Sequence, residues 1–273
     1  MPAATGIPAT GRQEAANLME VELTRFIDLL ERLGPEDWAK PTACTLWNVK
    51  DVAAHKAGAL AAFASWTELW HQLSPVNQRP YRARGMSQLD AMNQIQVDDR
   101  ADRTPAELVA ELRAVGPRAI RTCRRLPALA RAIRLPAPPP KGGLMSLAYL
   151  TDTIYPRDLW MHRLDVALAT GQAFVQTPEH DGRVVALVVR ELAQALPRHL
   201  GEASVVYELA GAAGGRWRIG RPAGPAATIR MAALDFAQLC SERFRAADVL
   251  SRTETLGDAT LARRALEHTA VLF

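Results

Sequence analysis

The stretch "YLTDTIYPRDLWMHRLDVALATG", residues 149–171, reads as one helix closed by Gly171, with Asp158 and His162 four residues apart amid apolar side chains. Residues i and i+4 of an α-helix lie one above the other on the same face, roughly 6 Å apart along the axis. Packing alone would ask for leucines there. With Leu159, Met161 and Leu164 nearby and turned into a core, an ionised Asp158 left alone would cost several kcal/mol, so the pattern demands a cation. Either a metal or an arginine such as Arg157 would serve.

Upstream, apolar residues from Arg12 to Leu33 recur at three-to-four spacing and predict a helix stopped by Gly34-Pro35. A second helix is expected from near Val49 to about Leu73 and carries His55. "SPVNQRPYRARG" (74–85) reads as a loop by its Pro and Gly content, and "SQLDAMNQIQVDDRAD" (87–102) as a helix. Thr104-Pro105 followed by Glu107 opens another, running to "TCRRL" with a kink expected at Gly116-Pro117. "LPAPPPKGG" (135–143) breaks the chain before the opening stretch.

After about residue 172 the rhythm changes. "DGRVVALVVRELAQAL" is helical, but "ASVVYELAG" and "GRWRIG" alternate as half-buried strands around a Gly-rich turn. "ATIRMA" adds a strand, and "ALDFAQLCSERF" and "DATLARRALEHTAVL" add two helices. The expected protein is mainly α: a helical bundle over 1–172 and a smaller α+β domain over 173–273, without internal repeats.

A chain of 273 residues that is 48% hydrophobic can bury a proper core. Its net charge of +4 comes from 33 basic and 29 acidic residues spread without a long basic run, which argues against a nucleic-acid partner. Cys44, Cys123 and Cys240 form no CxxC pair and leave an odd thiol, as expected in a reducing cytoplasm. No run reaches about 18 apolar residues, and the N-terminus lacks a signal-peptide core, so the expectation is a cytoplasmic protein away from the membrane.

His55 from one helix, with Asp158 and His162 from another, makes two imidazoles and a carboxylate. That set suits a borderline divalent ion, commonly zinc or iron, and leaves positions for water or sulfur. The same residues also allow a plain i,i+4 hydrogen-bonded pair, worth a few tenths of a kcal/mol. His71, His180, His199 and His268 read as surface or satisfied core residues. Trp47 should pack at the helix start and Trp160 in the core. Asp51 should cap the helix and Asp165 should pair with an arginine or a backbone amide, unless either orients an imidazole N–H.

"CTLWNVKDVAAHKAGAL" resembles the "W-t-v-x-D-v-x-x-H" helix start, and "PRDLWMHRLDVALATG" the "E-x-x-x-H-r-x-D-v-x-x-A-x-G" segment, of the mycothiol-dependent maleylpyruvate isomerase family in the DinB-like superfamily. "LDFAQLCSERF" and "LGDATLARRAL" resemble that family's C-terminal sterol-carrier-protein-like domain. The resemblance implies an up-down four-helix bundle whose divalent metal, usually zinc, is held at His55, Asp158 and His162, with mycothiol as cosubstrate. Asp158 departs from the usual Glu and, one methylene shorter, must approach more closely.

The implied partners are a low-molecular-weight thiol and a small electrophile. In an isomerase, sulfur adds to a cis alkene, the bond rotates and elimination returns the trans product; in an S-transferase the thioether stays. Arg243 is the candidate to bind a substrate carboxylate. Two rival classes remain: a hydrolase using metal-bound hydroxide, which would turn over without thiol, and a non-catalytic binder, which has no need of stoichiometric metal.

Overall fold

The protein is described here by a computed structural model covering residues 2–221 and 226–273. The apolar spacing near the N-terminus becomes α1 (Arg12–Glu31), which buries Leu23, Phe26, Leu29 and Leu30. Helix α2 (Val49–Ala64) opens on a reciprocal cap: the Asp51 amide donates to Asn48 Oδ1 at 2.9 Å, and the Asn48 amide donates to Asp51 Oδ2 at 3.1 Å. Asp51 therefore spends its carboxylate on the main chain.

The expected run to Leu73 breaks at Ser65, whose extended backbone ends α2 and whose hydroxyl caps α3 (Trp66–Leu73). Residues 74–85 correct a second expectation. They hold α4 (Pro75–Arg82), with Ser74 as N-cap and Pro75 at a position where its missing N–H costs nothing. Helices α5 (Gln88–Asp98) and α6 (Pro105–Arg125) each begin with a capping box, Ser87 with Asp90 and Thr104 with Glu107. Helix α6 is assigned without interruption through Gly116-Pro117.

A short helix α7 (Ala128–Arg131) leads into a two-stranded ribbon, β1 (Arg134–Pro136) and β2 (Leu144–Ser146). Then α8 (Leu147–Tyr149), a π-helical turn (Leu150–Ile154) and α9 (Tyr155–Thr170) run on without a break. Gly171, at φ +69°, ends them in the left-handed conformation that glycine adopts at no steric cost.

Helices α1, α2, α6 and α9 form a four-helix bundle around Leu23, Phe26, Val52, Leu60, Leu108, Leu112, Leu159 and Val166. Helix α5 packs on α2. Gly58 makes that approach possible, because a Cβ there would sit 2.6 Å from Cβ of Gln96.

The second unit contains α10 (Asp181–Ala195), α11 (Pro197–Leu200) and a four-stranded sheet. Its strands are β3 (Ser204–Ala210), β4 (Gly215–Gly220), β5 (Ala226–Ala232) and β6 (Glu254–Gly257), in the order β4-β3-β5-β6. β3 is antiparallel to β4 and parallel to β5, and β6 is antiparallel to β5. Helices α12 (Ala233–Cys240), α13 (Ala246–Val249) and α14 (Ala259–Glu267) complete it. α12 and α14 stop short of the predicted "SERF" and "HTAVL" ends.

Tyr207, Ile229 and Met231 are buried, while the row Arg216, Glu208, Arg230, Glu254 crosses the sheet with alternating charge and pairs along its length. β6 escaped prediction because all four of its residues are exposed and show no alternation.

The compact units are Gly11–Arg134 with Ser146–Phe174, and the segment up to Thr10 with Leu135–Met145 and Val175–Phe273. Against the boundary read from the sequence at 172/173, Phe174 closes the helical unit and two earlier segments join the other. Among the described residues, no helix is long and apolar enough to cross a membrane.

Candidate metal centre

His55 lies in the second turn of α2, Asp158 in the first turn of α9, and His162 one turn further on. One nitrogen or oxygen from each lies within 4.8 Å of the others. His162 Nε2 is 3.2 Å from Asp158 Oδ1, His55 Nε2 is 4.0 Å from Asp158 Oδ2, and the two imidazole centroids are 5.1 Å apart. Both imidazoles are buried, whereas the Asp158 side chain keeps 23% of its surface exposed, so the cluster opens to solvent on the carboxylate side. The shorter Asp158 does reach the imidazoles.

The proton positions follow from the surrounding amides. The Gly58 carbonyl can only accept, so the group of Gln72 facing it at 2.9 Å is the NH2. Oε1 of Gln72 then faces Gln96, whose Nε2 donates to it at 2.7 Å. That leaves Gln96 Oε1, 2.8 Å from His55 Nδ1, as an acceptor, so Nδ1 carries the hydrogen and Nε2 presents its lone pair toward Asp158. Glu68 holds Gln72 from a second side at 2.8 Å, and Arg100 ties Glu68 to Glu111 and to the Gln96 carbonyl.

His162 is treated alike by its own helix. Its Nδ1 lies 3.0 Å from Asp165 Oδ2, which fixes the hydrogen on Nδ1 and turns the Nε2 lone pair toward Asp158 Oδ1. Acceptor would face acceptor at 3.2 Å unless a proton or a metal cation lies between them. Ligand atoms of a tetrahedral zinc site with ordinary bond lengths sit roughly 3.3 Å apart, so the pair of His162 and Asp158 is at ligand spacing, while His55, 4.0 Å from Asp158, would have to move inward to share an ion; the donor types suit a divalent ion.

Without an ion, the charges place a proton in that gap. Burial, reinforced by the neighbouring Lys56 and His162 charges, holds His55 well below its usual range, so it is neutral. Burial works against the charged form of His162, but Asp158, Cys44 and Asp165 outweigh it and raise its pKa well above the ordinary value. Burial likewise opposes ionisation of Asp158, yet Lys56 and His162 bring its pKa well below the carboxylate range. The cation on Asp158 is not Arg157. It is Lys56, 1% exposed, whose Nζ contacts Asp158 Oδ2 directly.

Residues 19–167 match the mycothiol maleylpyruvate isomerase N-terminal domain family. The chain belongs to this family. Two solved structures are similar in fold: the mycothiol-dependent maleylpyruvate isomerase, at 14% identity, and a form of it with one histidine changed to alanine, at 13%. Each gives a TM-score of 0.57 and covers 95% of this chain and 98% of its own. No curated protein matches the sequence.

Within this family member, Trp47 flanks the pair of imidazoles, its ring 4.7 Å from that of His55, and donates through Nε1 to Gln94 at 3.3 Å. Cys44, half-buried, places Sγ 3.4 Å from Asp165 Oδ2. Asp165 takes the other role left open by the sequence, orienting an imidazole. Trp160 lies in the core, edge-on to Phe174 at 5.4 Å. His71 pairs with Asp99 at 2.8 Å, and His199 stacks on His268 at 3.7 Å. Arg243 follows α12 in the other unit, its amide bonded to Gln238 O and its guanidinium to Ser241 O at 3.4 Å.

Sequence reasoning passed over Lys56, Gln72 and Gln96. One signal was available for Lys56: only four lysines occur in the chain, and this one follows His55 in an alanine-rich turn where a surface charge is out of place.

Proposed function

We propose that this protein is a metal-dependent enzyme that uses mycothiol as the nucleophile on a small electrophile, with cis-to-trans isomerisation of maleylpyruvate or a close relative as its reaction. Membership of the family supports the thiol and the isomerisation. The observation carrying the metal is the convergence of one ligand atom each from His55, Asp158 and His162 within 4.8 Å, with the outer nitrogen of each imidazole already spoken for.

His55 and His162 would hold the ion through Nε2 and Asp158 through Oδ1. When bound, a divalent ion there keeps a coordinated thiol deprotonated at neutral pH. That ionisation alone is worth about 2 kcal/mol, so most of the rate must come from holding sulfur and substrate in attack geometry. Gln96 and Asp165 contribute by preventing either imidazole from turning. Arg243 is proposed to bind a substrate carboxylate through its planar pair of N–H donors.

Metal content of the wild type beside His55→Ala and His162→Ala tests the reading. Near-stoichiometric metal in the wild type and at least a tenfold loss in both variants are expected, together with thiol-dependent conversion of maleylpyruvate. Equal metal in all three would refute the ligand set. Turnover without thiol would point to a hydrolase, and a retained thioether product to an S-transferase.

A further inference from the structure

Lys56 is the residue of the centre that neither the helix spacing nor the ligand set explains. An ammonium group at 1% exposure is costly unless a counter-charge sits against it, and its contact is Asp158 Oδ2, with the Tyr155 ring 5.8 Å away. Oδ2 is also the oxygen nearer His55. The carboxylate is therefore shared: Oδ1 faces His162 and Oδ2 faces a lysine.

From this geometry we infer that Lys56 is a built-in competing cation that weakens divalent-ion binding at Asp158 and, in the loaded protein, strengthens binding of an anionic sulfur or carboxylate ligand. The inference rests on the metal reading given above. Two neutral imidazoles and one carboxylate around a divalent ion carry a net charge of +1. With the ammonium beside them the sum is +2, or +1 once the buried Asp165 carboxylate on His162 is counted, against 0 without the lysine, in a setting where charges interact far more strongly than in water. Lys56 leaves Oδ1 to the ion and raises the site's demand for a negative ligand. A lysine that merely packed would leave both affinities unchanged.

The test compares wild type with Lys56→Met, which keeps the length and apolar stem and removes the charge. Zinc affinity is measured by competition with a chromophoric chelator. Thiolate affinity is measured on the cobalt-loaded proteins from the sulfur-to-cobalt absorption band with 2-mercaptoethanol at fixed pH. Lys56→Met should bind zinc at least tenfold more tightly and the thiolate at least tenfold more weakly. Lys56→Gln gives the same comparison should the methionine variant not fold, and a larger zinc-induced rise in melting temperature than in wild type is the independent check.

Zinc bound by both proteins with equal affinity, or more weakly by Lys56→Met, would overturn the role of Lys56 and leave the metal reading standing. A wild type that binds no zinc beside a Lys56→Met protein that does would support the competition and overturn the metal reading. Zinc bound by neither would overturn both.

Discussion

At the scale of single residues, the decisive property of the centre is which nitrogen of each imidazole carries its hydrogen. Replacing Gln96 with leucine removes the acceptor for His55 Nδ1–H and leaves Gln72 Oε1 without its donor. Outer partners of this kind are worth about 10- to 100-fold in metal affinity, so Gln96→Leu should weaken zinc binding by that factor while circular dichroism shows the helices intact; chelator competition supplies the number. His55, Asp158 and His162 were legible because a four-residue spacing on one helix and a histidine in a second motif are linear patterns. Gln72 and Gln96 were not, since a glutamine that orients an imidazole looks like one that faces water until helices α3 and α5 are placed against α2. Asp165 was legible only as one of several roles. Three residues after His162, it could reach either an arginine or that imidazole, and only the ring's rotation decides.

Among the elements, the approach of α5 to α2 sets the site, and Gly58 governs it. A methyl group there would meet the Gln96 Cβ at 2.6 Å and an Arg100 guanidinium nitrogen at 2.9 Å, and the first is too near the backbone to swing aside. Gly58→Ala should therefore destabilise the protein by about 1–3 kcal/mol in urea unfolding, although alanine is the better helix former, and should weaken zinc binding by pulling Gln96 from His55. Long amphipathic helices such as α1 and α6 could be read from the sequence, because stripes and capping boxes are local signals. The break at Ser65 and the helix α4 could not. A serine can cap as well as sit within a run, and Pro75 and Pro80 made residues 74–85 resemble a loop even though Ser74-Pro75 is also a helix start.

For the whole molecule, the notable point is that the chain leaves the helical unit at Arg134 and returns at Ser146. The Leu147 amide donates to the Ile133 carbonyl at 2.9 Å, so the two ends of the excursion are already adjacent. A protein of residues 11–174 in which 135–145 are replaced by a short Gly-Asn turn should unfold cooperatively and retain zinc. A simple cut after residue 172 carries Met145, buried in the full chain, without the unit it belongs to, and should self-associate; sedimentation and thermal melts would tell the two apart. The row of amides from Gly58 through Gln72 and Gln96 has a wider consequence. Rotating the His55 ring would leave Gln96 Oε1 without its donor, and Gln96 is itself tied to Gln72, so the protein alone holds that imidazole in one orientation. The ion proposed above would then enter without rebuilding that ring, and its exchange would be as fast as a lysine and a proton step aside.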